Sequence, residues 1–394
     1  TEVIDAGDPR PIADQYGRVG EIAVIDLDAA LGTGDNASVI RDLIARAPCR
    51  VGGGIRSVDA AVRWLDAGAR KVILGTAATP EVLRELPPDR TIAALDARDG
   101  EVVTKGWTHA TGTRIEDRLA DLRGLVGGFQ IEGRMTGLPM DRVQRLIELA
   151  HPAKVTIAGG VQNTNDVRAV DVLGGDTQVG MALYQGVFDL AEGFSAPLKS
   201  DREDGLWPTV VCDEAGRSLG QVYSSLDSVR EALTTGTGVY FSRSRNSVWH
   251  KGATSGNVQR LINIAPDCDR DALRFTVAQE GTGFCHTGDA TCFGGLSGLA
   301  QLDQVVRTRL AEATTGSYTA RLKNEPALLA SKLMEEAGEL IEASTPEESA
   351  HEAADLIYFA LVAARARGAS LASIEAELDR RRLKVTRSPG SAKP

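Results

Sequence analysis

EIAVIDLDAAL (21–31), CRVGGGI (49–55) and KVILGTA (71–77) decide how the first half of the chain is read: each opens on a short, continuously apolar run, and SVDAAVRWLDAGA (57–69) between them has helical periodicity. Continuous rather than alternating hydrophobicity means that both faces of the strands are covered, as in a parallel sheet flanked by helices. Outward from these three, TIAALDAR (91–98), GGFQIEG (127–133), KVTIAGGV (154–161) and TQVGMAL (177–183) repeat the pattern, with MDRVQRLIELA (140–150) as another helix. These seven units predict a (β/α)8-type TIM barrel whose first strand is not visible.

With 394 residues the chain exceeds one core and predicts two to four domains. A net charge of −10 from 44 basic and 54 acidic residues argues against a nucleic-acid partner. No uncharged apolar run reaches the ~18 residues of a membrane helix, and TEVIDAGDPRP (1–11) lacks a signal-peptide layout, so no membrane partner and a cytoplasmic address are expected. Five cysteines are too few for a disulfide framework, and Cys49 and Cys212, inside apolar runs, read as core.

The barrel region is expected over 1–195, followed by a charged linker, APLKSDREDGL (196–206). An α+β domain is expected over 207–294, with strands in PTVVCD, LGQVYSS, GVYFSRS, VWHKG and DALRFTVAQ around the helix SLDSVREAL. Over 295–394 strand patterns give way to four helical ones, LAQLDQVVRTRLAEA, PALLASKLMEEAGELIEA, ESAHEAADLIYFALVAARARG and LASIEAELDRRRLKV. The fold class is therefore multidomain: barrel, α+β, all-α.

Glycines end matched strand pairs in the barrel: VGGGIRS (51–57) with LGTAA (74–78), and IAGGVQ (157–162) with VGMALYQG (179–186). Gly53, Gly54, Gly75 and Thr76 in one half, and Gly159, Gly160 and Gly180 in the other, each predict one phosphate cradle, hence a substrate with two phosphates. Together with VIDLDAAL and LDARDGEVVTKGW (95–107), these motifs resemble the histidine-biosynthesis barrel isomerase over most of 7–190. The resemblance implies an aldose–ketose rearrangement of a ribotide, with Asp96 as the acid. Where that family has Thr and then Asp-Gly-Thr, this chain reads FQIEGRMTG, leaving Thr136, so an active isomerase and a silent scaffold are both carried forward.

DCDRD (267–271), if extended, places Asp267, Asp269 and Asp271 on one face and Cys268 on the other. Three carboxylates suit Mg²⁺ and a thiolate suits Zn²⁺. Cys285 and Cys292 in CHTGDATC supply two further sulfurs, leaving the fourth position open, as at a catalytic zinc. Because Cys268 faces away from the acids, its zinc partners are expected from a second subunit. YFSRSRNSVWHKGATSGN (240–257), DCDRDAL and FCHTGDATCF resemble phosphoribosyl-AMP cyclohydrolase, over 205–294. That resemblance implies hydrolytic opening of an adenine ring between N1 and C6, zinc on Cys268, Cys285 and Cys292, Mg²⁺ on the three aspartates and His286 as proton shuttle. It also assigns Arg243, Arg245 and Lys251 to the substrate phosphate, and Ala253 departs from the family's Glu.

In KLMEEAGEL (332–340) and HEAADLIYF (351–359), Glu335, Glu336 and Glu339 share one helix and Glu352 and Asp355 the next. A short TPEESA connection predicts antiparallel packing, so that five acids without i+4 basic partners face one another and need Mg²⁺. With SYTARL (317–322), these motifs resemble phosphoribosyl-ATP pyrophosphohydrolase over about 296–390, with Lys332, Arg321 and the basic tail DRRRLKVTR as candidate phosphate contacts. Three resemblances on one pathway imply phosphoribosyl nucleotides as small-molecule partners. They also imply a homodimer through the cyclohydrolase and helical domains.

Overall fold

The computed structural model describes residues 4–98, 100–104, 109–133, 139–312 and 317–386; Thr136 lies outside them. The described residues fall into two compact units: those within 4–213 with 221–281 and 383–386, and those within 214–220 with 282–382.

All seven strands read from the sequence form in the first unit: β1 (Ile22–Ile25), β2 (Cys49–Gly52), β3 (Lys71–Leu74), β4 (Thr91–Arg98), then, after a hairpin of β5 (Glu101–Thr104) and β6 (His109–Arg114), β7 (Gly128–Gly133), β8 (Lys154–Ala158) and β9 (Asp176–Gln178). The parallel order is β1-β2-β3-β4-β7-β8-β9, with β1 and β9 as the edges. Leu95 and Ala97 of β4, Phe129 and Ile131 of β7, and Val155 and Ile157 of β8 pack into the helix-covered core. Strand alternation then turns Asp96, Gln130, Glu132 and Thr156 to the concave side. Arg50 of β2 shows how far the sheet curls: its Nε donates to Glu21 at 2.5 Å and its Nη1 to Thr156 of β8 at 3.1 Å. The result is a curled half-barrel. The β5–β6 hairpin is an addition the sequence pattern did not predict.

A second sheet follows: β10 (Trp207–Cys212), β11 (Ser218–Ser224), β12 (Val239–Ser242), β13 (Ser247–His250), β14 (Gln259–Pro266) and β15 (Leu273–Gln279), in the order β13-β12-β11-β10-β15-β14. Five of these were expected and β14 was not. Its register shifts between Leu261 and Asn263, which breaks the two-residue period, and its buried Gln259 is polar where the pattern asks for an apolar residue. That Gln accepts from Tyr240 Oη at 2.6 Å and donates to Gln279 at 2.8 Å, so its burial is hydrogen-bonded. Barrel and sheet are tied within this unit: the carbonyl of Arg18 accepts from Ile264 N–H at 2.7 Å, and its Nη1 donates to the carbonyl of Leu233 at 3.0 Å.

The second unit is mainly helical: Gly298–Glu312, Tyr318–Asn324, Pro326–Glu342, Pro346–Ala366 and Leu371–Arg382. Val306, Leu322, Leu329, Phe359 and Val362 form its core. TPEESA is less a connection than a helix start: Thr345 is the N-cap and exchanges hydrogen bonds with Glu348 in a capping box. Among the described residues no single helix is long and apolar enough to cross a membrane.

Candidate metal centres and barrel mouth

DCDRD is not extended. It is the tight turn between β14 and β15, and the strand-face alternation expected for it is corrected here: Asp267 N–H donates to the carbonyl of Ala272 at 3.0 Å, while Asp267 Oδ1 accepts from the N–H groups of Asp271 at 3.0 Å and Ala272 at 3.1 Å. Curling replaces pleating as the device that gathers the acids. Oxygens of Asp267, Asp269 and Asp271 lie within 4.8 Å of one another. Asp269 first, then partial desolvation and Asp267, push the Asp271 carboxyl up; Asp267, exposed and only slightly desolvated, is held low by the N–H groups of Ala272 and Asp271. Three convergent oxygen donors with mutual repulsion fit a hard divalent cation. Cys268 is exposed on the same turn.

In the second unit, Cys285 and Cys292 bracket a compact loop in which Phe284 N–H donates to the carbonyl of Ala290 and Cys285 N–H to that of Asp289, both at 3.1 Å. Hydrogen bonds from the side chain and backbone of Thr287 and from Cys292 lower the Cys285 thiol, which favours the thiolate a soft metal takes. Gly220, on β11, backs the Cys292 sulfur, and a Cβ there would stand 3.0 Å from Sγ and 2.4 Å from the Phe284 ring. His286 is exposed, with Nδ1 3.8 Å from Cys285 Sγ.

Arg243 and Arg245 occupy the exposed β12–β13 turn: the Arg243 guanidinium stacks 3.9 Å over Tyr223, and Arg245 Nε donates to Ser242 Oγ at 3.2 Å. Lys251 is buried, its Nζ 5.8 Å from the Trp249 ring centre.

On the paired helices, Glu336, Glu352 and Asp355 bring carboxylate oxygens within 4.8 Å. Glu339 joins them, since burial first, then the charge and hydrogen bond of Glu339, raise the Glu352 carboxyl. Glu335 turns instead to Lys332 Nζ at 2.7 Å, and Glu336 lies 3.7 Å from the same ammonium. The expectation that these acids lack an i+4 basic partner is thereby corrected, and four rather than five cluster. Arg321 is engaged with Glu325 at 2.9 Å, and Arg380 and Arg381 of the basic tail pair with Glu377.

At the barrel mouth β4 and β7 pair in register, Asp96 beside Glu132. Partial burial raises Asp96; partial desolvation and then the Asp96 charge raise Glu132, whose side chain still reaches solvent. Beneath them Gln130 is buried, and among the described residues its Oε1 has no hydrogen-bond partner. Gly53, Gly54, Gly159 and Gly160 all have positive φ at strand ends, and a Cβ on Gly53 would stand 2.2 Å from the carbonyl oxygen of Asp26. Gly75, Thr76 and Gly180 follow β3 and β9 at the same end of the sheet.

Residues 1–189 match the histidine biosynthesis protein family, 221–294 phosphoribosyl-AMP cyclohydrolase and 299–382 phosphoribosyl-ATP pyrophosphohydrolase. The histidine biosynthesis bifunctional protein his7 of Schizosaccharomyces pombe is 38% identical over 351 residues, covering 85% of this chain and 80% of that protein. The chain belongs to the multifunctional histidine-biosynthesis proteins. The Neurospora crassa trifunctional member is 41% identical over 350 residues, and the chain spans 38% of its length. An imidazole-4-carboxamide isomerase of Halobacterium salinarum is 38% identical over 207 residues, 85% of that protein.

Within this family frame, three residues that the sequence reading missed stand out: Glu132, Gly220 and Tyr223. Glu132 was present in FQIEG as a departure from the isomerase pattern. Only the parallel register of β4 with β7 sets it beside Asp96. Gly220 and Tyr223 carry no local signal, because their partners are 72 and 20 residues away at Cys292 and Arg243.

Proposed function

We propose that the chain hydrolyses phosphoribosyl-ATP to phosphoribosyl-AMP and pyrophosphate on its helical domain, then opens the adenine ring on its α+β domain to give the formimino imidazole-carboxamide ribotide. The observation that carries this reading is the pairing of donor sets with domains: an oxygen trio and two adjacent thiols in the cyclohydrolase-like region, four clustered acids in the pyrophosphohydrolase-like region. Mg²⁺ on Glu336, Glu339, Glu352 and Asp355 and on Asp267, Asp269 and Asp271, and Zn²⁺ on Cys268, Cys285 and Cys292, supply charge neutralisation and a more acidic water when bound.

The protein's own groups do the rest. Lys332, tethered beside the acids, meets the phosphate chain, with Arg321 as a second contact once released from Glu325. Arg243 and Arg245 bind the ribose phosphate, with Tyr223 fixing one guanidinium plane, and Lys251 adds a third charge. Exposed beside Cys285, His286 accepts the proton from the attacking water and returns it to the departing ring nitrogen. We place the protein in the cytoplasm as a homodimer, in which sulfurs from two copies complete each zinc site.

Two variants test the order of steps. Glu336→Gln is expected to release no pyrophosphate from phosphoribosyl-ATP yet to open added phosphoribosyl-AMP. Cys292→Ser is expected to release pyrophosphate and accumulate phosphoribosyl-AMP. Loss of both steps in either variant contradicts the assignment.

A second reading, that the barrel also isomerises the ribotide, is favoured by Asp96 and Glu132. They are neighbours with both carboxyls raised, so one serves as the acid and the other as the base. Conversion of the ribotide to its ribulosyl isomer by the purified chain, lost in Asp96→Asn, is the expected result; an unchanged ribotide leaves the barrel a scaffold.

A further inference from the structure

Arg270 sits between two of the three acids of the metal turn, and its backbone has φ +71°, a left-handed conformation that side-chain-bearing residues adopt only when their surroundings impose it. Two contacts from outside the turn impose it here. The peptide N–H of Lys199 donates to the Arg270 carbonyl at 2.8 Å. Asp171, on the barrel helix Thr164–Val172, takes the guanidinium with Oδ1 2.6 Å from Nη2 and Oδ2 3.4 Å from Nε. Both side chains are half-buried, so this forked pair is shielded more than a surface one. Beside it lies a cleft of 640 Å³ whose lining includes Lys154, Arg168, Lys199, Cys268 and Asp269.

A guanidinium flanked by Asp269 and Asp271, with Asp267 close by, has an alternative place to go: onto the carboxylates themselves, where it competes with a cation. Asp171 draws it away. We propose that Asp171 is a positioning residue for the metal turn, holding Arg270 off the acid trio so that the trio is free for a divalent cation. The barrel thus tunes the neighbouring active site through one ion pair, whether or not it catalyses a reaction itself. The proposal rests on the reading of Asp267, Asp269 and Asp271 as a cation site.

The test is Mn²⁺ binding followed by electron paramagnetic resonance on the full chain carrying Glu336→Gln, which silences the helical cluster. Asp171→Asn is expected to weaken binding at the turn about 5-fold, a typical coupling, and to raise the Mg²⁺ concentration needed for ring opening by a similar factor, with kcat at saturating Mg²⁺ near the parent value. Asp171→Glu restores both. In an Arg270→Gly background, which removes the competing charge and relaxes the φ, Asp171→Asn is expected to change nothing. Pyrophosphate release by Asp171→Asn in the otherwise unaltered chain monitors folding. Unchanged Mn²⁺ affinity in Asp171→Asn overturns the proposal while the cation site stands. If instead Asp269→Asn removes no Mn²⁺ from the parent, the cation-site reading itself falls.

Discussion

Asp96 and Glu132 stand side by side because β4 and β7 pair parallel in that register, and the Asp96 charge makes Glu132 harder to ionise. Both carboxyls are raised in the folded protein, so the folded state binds more protons than the unfolded one as pH climbs past the ordinary carboxylate range. Stability is therefore lost as pH rises through that window, and the penalty is complete above the folded values. Glu132→Gln removes the Glu132 share and leaves that of Asp96, which comes from its own burial. Thermal melts at pH 8 are expected to show the variant about 2 °C above the parent, the gap closing towards pH 4; a pH-independent difference contradicts the shared strain. At this scale Asp96, the three aspartates and the cysteines were legible, because each lies in a short motif with its own chemistry. Glu132 was not, since only strand pairing makes it a partner.

Among the elements, the helix that presents Glu352 and Asp355 owes its start to the Thr345 cap and Glu348, and the helix before it ends at Glu342, only four residues upstream of Pro346. Fraying that start loosens two of the four clustered acids while leaving the cyclohydrolase sheet untouched. Thr345→Ala is expected to cost about 1 kcal/mol. In a urea series pyrophosphate release then fails at a lower concentration than in the parent, with ring opening of added phosphoribosyl-AMP unaltered; equal shifts in both activities contradict a local effect. The parallel strands were readable because covered faces leave unbroken apolar runs. β14 is hidden by its register shift and its buried Gln259, and the DCDRD turn has no signature that separates it from an extended stretch, because a tight turn held by Asp267 leaves no period in the sequence.

Across the molecule, three regions match three families of one pathway, and each brings a different constellation: paired carboxyls at a barrel mouth, a mixed oxygen and sulfur set, and an acid cluster between helices. The domain sequence and its chemistry were legible from motifs; the polar ties inside the first unit were not. Arg18 and Asp171 reach residues about 100 positions away or more, and no local pattern announces such contacts. The most direct test of two consecutive hydrolyses is a time course from phosphoribosyl-ATP with the purified chain supplied with Mg²⁺ and Zn²⁺, counting pyrophosphate and ring-opened ribotide. The account predicts a transient phosphoribosyl-AMP and equal final amounts of the two products. Pyrophosphate without ring opening, or neither product, would contradict it.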